Sequence, residues 1–157
     1  MDPARHGSRN DLVRIATEAM AERGLEPEFP AGVQQQLASI TGPGRDNDPR
    51  IRDLTELPWC SIDNDDSLDL DQLTACEVLA DGAVRILVAV ADVDSLVKKG
   101  TAIDEHARFN TASVYTSVRV FSMLPERLST NLTPLNPGQD RLALVTEMLV
   151  AADASVS

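Results

Sequence analysis

The sequence predicts a mixed α/β (α+β) fold, helical first and strand-rich afterwards. Three observations carry that reading. Apolar residues recur at helical spacing near the N-terminus, a Gly-, Pro- and Asp-rich stretch interrupts them, and apolar runs then flank Asp81-Gly82 as in a β-hairpin.

The first helix is written by Leu12, Ile15, Ala16, Ala19 and Met20, with Asn10 as its cap and Gly24 as its stop. Pro30 opens a second, carrying Val33, Leu37 and Ile40. Residues 1–41 therefore read as a small helical module, winged-helix-like in outline. The stretch "TGPGRDNDPR" follows, and residues 42–50 within it read as a linker to a domain spanning 51–157. In "LTACEVLADGAVRILVAVADV" two strands meet at Asp81-Gly82. The second, Val84 to Val93, is almost wholly apolar and predicts a central strand buried on both faces. Thr101 and Asp104 have the spacing of a capping box, ahead of a helix from about Ala102 to Phe109. "SVYTSVRVF" reads as a strand, "MLPERLS" as a turn into a short helix, and "RLALVTEMLVAADASV" as a further strand.

Composition narrows the function. The 157 residues are 43% hydrophobic, enough for a real core, and carry a formal net charge of −11. An acidic chain lacks the basic surface on which nucleic-acid binding normally begins, so any such role must rest on a particular site. No apolar run approaches the roughly 20 residues of a membrane span, and "MDPARHGSRNDL" has no apolar signal core. A cytoplasmic protein without a membrane partner is expected. Cys60 and Cys76 lack CxxC spacing, and His6 and His106 are far apart, which argues against structural zinc and for reduced, partly buried thiols.

The chemistry concentrates in "CSIDNDDSLDLDQL", Cys60 to Leu73, which has five aspartates and no basic residue. Neighbouring carboxylates repel, and water or a bound cation must offset the repulsion. In extended conformation Ile62, Leu68 and Leu70 point one way and Asp63, Asp69 and Asp71 the other, with Asn64 to Ser67 as the bend. That predicts carboxylates gathered on a packed apolar base. Hard oxygen ligands suit Mg²⁺, which keeps several waters and can share a substrate phosphate. Two other readings fit the charge pattern. A calcium loop counted from Asp63 fails at Leu68, where glycine is needed, and at Thr74, where glutamate is needed. A solvated acidic turn with no ligand fits without further demands.

The words around this cluster resemble a known family. "RIRDLTELPWCSIDNDDSLDLDQL" is similar to the opening motif of the RNB catalytic domain, shared by ribonuclease II and ribonuclease R. "LVAVADVDSLVKKGTAIDEHA", "TASVY", "SMLPERLSTNL" and "LNPGQDRLALVTEM" follow in the family's order and spacing, from about Arg50 to Met148. The resemblance implies the first portion of an RNB-type α/β domain that degrades single-stranded RNA hydrolytically from the 3′ end to nucleoside 5′-monophosphates, with Mg²⁺ or Mn²⁺ as cofactor. It makes Asp63, Asp69 and Asp71 metal ligands, and Asp69 and Asp71 catalytic, with Asp71 nearest the chemical step. At the family's fourth acidic position this chain has Gln72, and Asp65 or Asp66 stands nearby as a compensating carboxylate. Tyr115 falls where the family stacks a tyrosine near the 3′-terminal nucleotide, though composition alone reads it as a strand tyrosine packed at a sheet edge, and Arg108, in the helix before it, reads equally as a phosphate contact or a solvated side chain. The resemblance further implies a longer catalytic domain supplying an arginine and a glutamate beside the scissile phosphate. With those groups and the fourth acid missing, the alternative is a truncated or degenerate relative that binds RNA or a partner without cutting.

Overall fold

The computed structural model describes residues 8–157; residues 1–7, and His6 with them, lie outside the described residues. The chain forms two compact units. One joins the N-terminal helices, up to Thr41, with Val97–Glu126, and the other joins Gly42–Leu96 with Arg127–Ser157.

In the first unit, α1 (Arg9–Glu22) is capped by Ser8, not Asn10. The Ser8 side chain accepts from the Asp11 N–H, and the Asp11 carboxylate accepts from the Ser8 N–H, a complete capping box that satisfies two otherwise orphaned donors. The helix ends at Gly24, whose φ of 74° is a conformation that a side chain disfavours. α2 (Ala31–Ser39) does start at Pro30, which takes the N-cap position.

α3 (Ala102–Asn110) starts where the sequence placed it, but without the expected capping box. Thr101 turns its hydroxyl to the Lys98 carbonyl, and Asp104 accepts instead from the Gly100 N–H. The Ile103 N–H is met by the Gln36 side chain of α2 at 2.9 Å, so a tertiary contact replaces the local cap. The helical segment thus packs with residues 97–126. "SVYTSVRVF" is not one strand but a tight hairpin, β3 (Val114–Tyr115) with β4 (Val120–Phe121), because the Thr116 hydroxyl and N–H both bind the Arg119 carbonyl and turn the chain.

A polar clamp fixes residues 26–29 to α3. Asn110 reads the backbone of Glu26 twice: its oxygen accepts from the N–H and its nitrogen donates to the carbonyl, both at 2.9 Å. That orients the amide, so its remaining hydrogen faces His106 Nε2 at 3.2 Å. Nε2 must accept, and Nδ1 therefore donates to the Glu26 carboxylate at 3.1 Å. The Phe29 ring leans on the imidazole at 4.6 Å between centroids. Arg119 adds an ion pair to Glu28 and lies over Phe121.

The second unit is built on an antiparallel sheet in the order β1 (Gln72–Val78), β2 (Val84–Ala91), β5 (Ala143–Val150). The Asp81-Gly82 turn closes β1 onto β2 as the sequence predicts, with Gly82 at φ 83° and the Asp81 carboxylate accepting from Ala83 N–H. β2 is the central strand, but its burial is one-sided. Leu87, Ala89 and Ala91 are buried, whereas Val90 between them is 45% exposed. The packed face gathers Ala89, Ala91 and Leu135 with Trp59, Leu73, Ala143 and Val145. The Trp59 indole N–H donates to the Leu54 carbonyl. No helix is long and apolar enough among the described residues to cross a membrane.

The predicted linker is pinned at Gly44, where a Cβ would overlap the Ser95 side chain. "MLPERLS" leads into a π-helical turn, Leu128–Leu132, with both leucines buried. Cys60 and Cys76 are free but exposed, not partly buried. Cys76 projects from the sheet face opposite the buried Ala75, and that face is left open.

Candidate functional site

The acidic stretch leaves the sheet as a closed loop. Its ends meet where Cys60 and Thr74 exchange backbone hydrogen bonds at 2.9 and 2.8 Å. Further along, the Leu70 carbonyl accepts from Leu135 N–H at 2.7 Å and the Asp71 carbonyl from Ala91 N–H at 2.8 Å. Backbone bonds, not side-chain packing, therefore hold the loop, and the predicted apolar base is absent. Ile62 is 96% and Leu68 is 66% exposed, and only Leu70 is half-buried. The loop is irregular rather than extended because Ser67 N–H returns to the Asn64 carbonyl at 3.0 Å and bends it.

Inside the loop Ser67 does what the sequence did not reveal. Its Oγ lies 2.9 Å from Asp63 Oδ2 and 2.9 Å from Asp69 Oδ1, so the hydroxyl sits between the two carboxylates and its single hydrogen is shared between them or donated to one at a time. Asp63 Oδ1 also accepts from the Asn64 N–H at 2.8 Å. Asp63 is thus held through both oxygens, while Asp69 keeps Oδ2 open. Asp71 is exposed and its carboxylate has no hydrogen-bond or ionic partner among the described residues. No basic side chain pairs with Asp65 or Asp66 among the described residues either. The only sequence signal for Ser67 was its place between two aspartates, four residues after Asp63 and two before Asp69.

The donor set is all carboxylate and hydroxyl oxygen, the kind a hard divalent cation takes. The structure brings Asp63 and Asp69 together but gathers no group of three or more His, Cys, Asp or Glu side chains for a metal among the described residues. A cation bound here would draw its remaining ligands from water and substrate, as Mg²⁺ does. Gln72 is exposed at the start of β1, and strand alternation turns it to the face opposite Leu73. Loop residues Ser61 and Leu70 also line an open groove with Arg50, Trp59, Leu135 and Arg141.

The two residues proposed to meet RNA belong to the other unit. Tyr115 is 70% exposed in β3, so its ring is not packed away. Arg108 lies on the exposed side of α3 and donates to Glu105 through Nη2 at 2.5 Å.

The second unit is thus a strand-rich α/β unit whose open aspartate loop leads into its three-stranded sheet. Residues 51–157 match the RNB domain, and the chain belongs to that family. Ribonuclease R of Vibrio cholerae is 42% identical over 141 residues, which cover 88% of this chain and 17% of that protein. Two solved structures of Mycoplasma genitalium RNase R superpose with a TM-score of 0.80 at 28% identity over 93% of this chain. One is in complex with double-stranded RNA and the other with ribose-methylated single-stranded RNA, and the match covers 26% and 23% of those chains. This chain therefore spans about a sixth to a quarter of the length of these relatives.

Proposed function

We propose that this chain forms the first portion of the catalytic domain of a hydrolytic 3′-to-5′ exoribonuclease that releases nucleoside 5′-monophosphates from single-stranded RNA. The observation that carries the reading is the pair Asp63 and Asp69, with Ser67 between them, inside a segment that matches the RNB domain. Asp63, Asp69 and Asp71 would hold Mg²⁺ or Mn²⁺. Such a cation activates water and stabilises the leaving oxygen of an in-line displacement at phosphorus.

The chain's own groups have distinct parts in this. Asp63, tied through both oxygens, orients. Asp69 offers one open oxygen, and Asp71 offers two. Asp71 is the group free to hold an attacking water and accept its proton. The exposed Tyr115 ring stacks on a base, a contact that tolerates any sequence. Arg108 reaches a phosphate by exchanging its Glu105 partner for it. Two unpaired, exposed cysteines support a reducing, cytoplasmic setting.

A second reading, a relative that binds RNA or a partner without cutting, is favoured by Gln72, an amide where the family resemblance calls for a carboxylate. One experiment separates them. In a chimera, this chain replaces the matching stretch of the Vibrio cholerae ribonuclease R. Asp69→Asn and Asp71→Asn should each lower nucleoside monophosphate release by tens to a few thousandfold while leaving RNA affinity within about threefold. Release within twofold of the unmodified chimera refutes the assignment. A folded, RNA-binding chimera that releases nothing before any substitution supports the non-catalytic reading.

A further inference from the structure

The chain has five aromatic side chains, counting Phe, Tyr and Trp, and the fold uses three of them. Phe29 leans on His106, Phe121 is buried beneath the Arg119 guanidinium, and the half-buried Trp59 donates its indole N–H to the Leu54 carbonyl. Tyr115 and Phe109 are the two left exposed, and both belong to the first unit. Tyr115 has a part in the proposed function, and Phe109 as yet has none.

The place of Phe109 is at odds with its helix. α3 buries Ile103, His106 and Asn110. Phe109 is 52% exposed and lies on the other side, with the exposed Ala102, Glu105 and Arg108. A one-sided helix ordinarily keeps polar residues there. A lone exposed ring is common on protein surfaces. Here a second one follows six residues later, because Thr111 ends α3 in the left-handed conformation and β3 begins at Val114. Six residues of extended chain span only about 20 Å. Both rings therefore fall within the reach of one short single strand.

Charge indicates the ligand. The segments that build the second unit, Gly42–Leu96 and Arg127–Ser157, carry sixteen acidic and six basic side chains, a surface that repels phosphate. Val97–Glu126 carries three acidic and four basic ones. Exposed aromatic rings on ground that tolerates a polyanion are the parts of a single-strand platform.

We propose that Phe109 is a second base-stacking residue, which with Tyr115 holds single-stranded RNA against the first unit. Each ring takes the face of one base, so the grip extends over two nucleotides and tolerates any sequence. Arg108, next to Phe109 on the exposed side, meets the phosphate between them. This inference rests on the reading of Tyr115 as an RNA contact and is independent of the aspartate loop.

The test measures the affinity of the chimera for a single-stranded RNA of about twelve nucleotides, in excess EDTA. Phe109→Ala should weaken binding at least about fivefold, the low end of what one stacked base contributes. Phe109→Leu should lose as much, because it keeps apolar bulk without a π-face, and Phe109→Trp should stay within about twofold. The indole introduced by Phe109→Trp should be quenched by RNA beyond any change in the Trp59 signal of the parent. Melting temperatures should stay within about 3 °C, as for other exposed substitutions. Affinity within twofold of the parent for Phe109→Ala or Phe109→Leu overturns the inference. If Tyr115→Ala still weakens binding in that case, the reading of Tyr115 stands without it. No loss from either residue, or a chimera that binds no single strand, removes both. A Phe109→Ala chimera that melts lower yet binds unchanged shows the ring to be covered by protein, which also overturns the inference.

Discussion

Two clusters of polar side chains in this chain are held in opposite ways. Around Glu26, His106 and Asn110 are 4% and 5% exposed, and the Asn110 amide spends its oxygen and both hydrogens on protein partners. Around Ser67, the carboxylates are exposed, and the loop that carries them is closed by backbone bonds. Buried polar groups must be satisfied internally or their desolvation goes uncompensated. Exposed ones can leave oxygens unspent, and Asp69 Oδ2 and the Asp71 carboxylate are the unspent ones here. The first cluster builds the fold, and the second is available to a ligand.

The sharpest way to break this contrast is Asn110→Ala. It strips partners from the Glu26 backbone and from His106 Nε2, and should destabilise by about 3 kcal/mol. Thermal unfolding of the 157-residue chain should fall by roughly 6–12 °C. In the loop, Asp63→Asn should move it by less than about 2 °C, since an exposed side chain carries little stability. Equal shifts for the two would erase the distinction.

Tyr115→Ala tests whether an exposed ring in the first unit serves RNA. Stacking is worth about 1–3 kcal/mol per base, so affinity for short oligonucleotides should drop and the final product should change length. Unchanged affinity and product length would make Tyr115 a surface residue of the hairpin.

The smallest effect belongs to Glu28, whose carboxyl is held below its usual value of 4.5 chiefly by hydrogen bonding to Arg119. A depressed carboxyl contributes stability above its unfolded pKa and loses it as pH falls through the folded one. The pair is largely exposed and screened, so less than about 1 kcal/mol is at stake. The melting temperatures of the chain and of Glu28→Gln should differ slightly at pH 6 and converge as pH falls through and below the depressed Glu28 value. A difference that persists in acid would point to packing, not charge.

Much of this was legible because it is local. The Asp81-Gly82 turn, the two early helices and the central place of β2 each follow from spacing within a few residues. The acidic loop announced itself by composition. What stayed hidden was tertiary: Gln36 capping α3 in place of Thr101, Thr116 folding a supposed strand into a hairpin, and backbone bonds supporting a loop that alternation assigned to packing. The apolar run of β2 led to an expectation of burial on both faces, but the structure covers only one of them. The resemblance singled out Asp63, Asp69 and Asp71, but geometry was needed to find Ser67 between the first two.

The measurement that bears most directly on the central claim follows 5′-labelled single-stranded RNA with the chimera, in Mg²⁺ and in excess EDTA. The account predicts stepwise shortening from the 3′ end with nucleoside 5′-monophosphate release, abolished by EDTA and restored by added Mg²⁺ or Mn²⁺. Shortening that continues undiminished in excess EDTA would contradict a metal-assisted aspartate site.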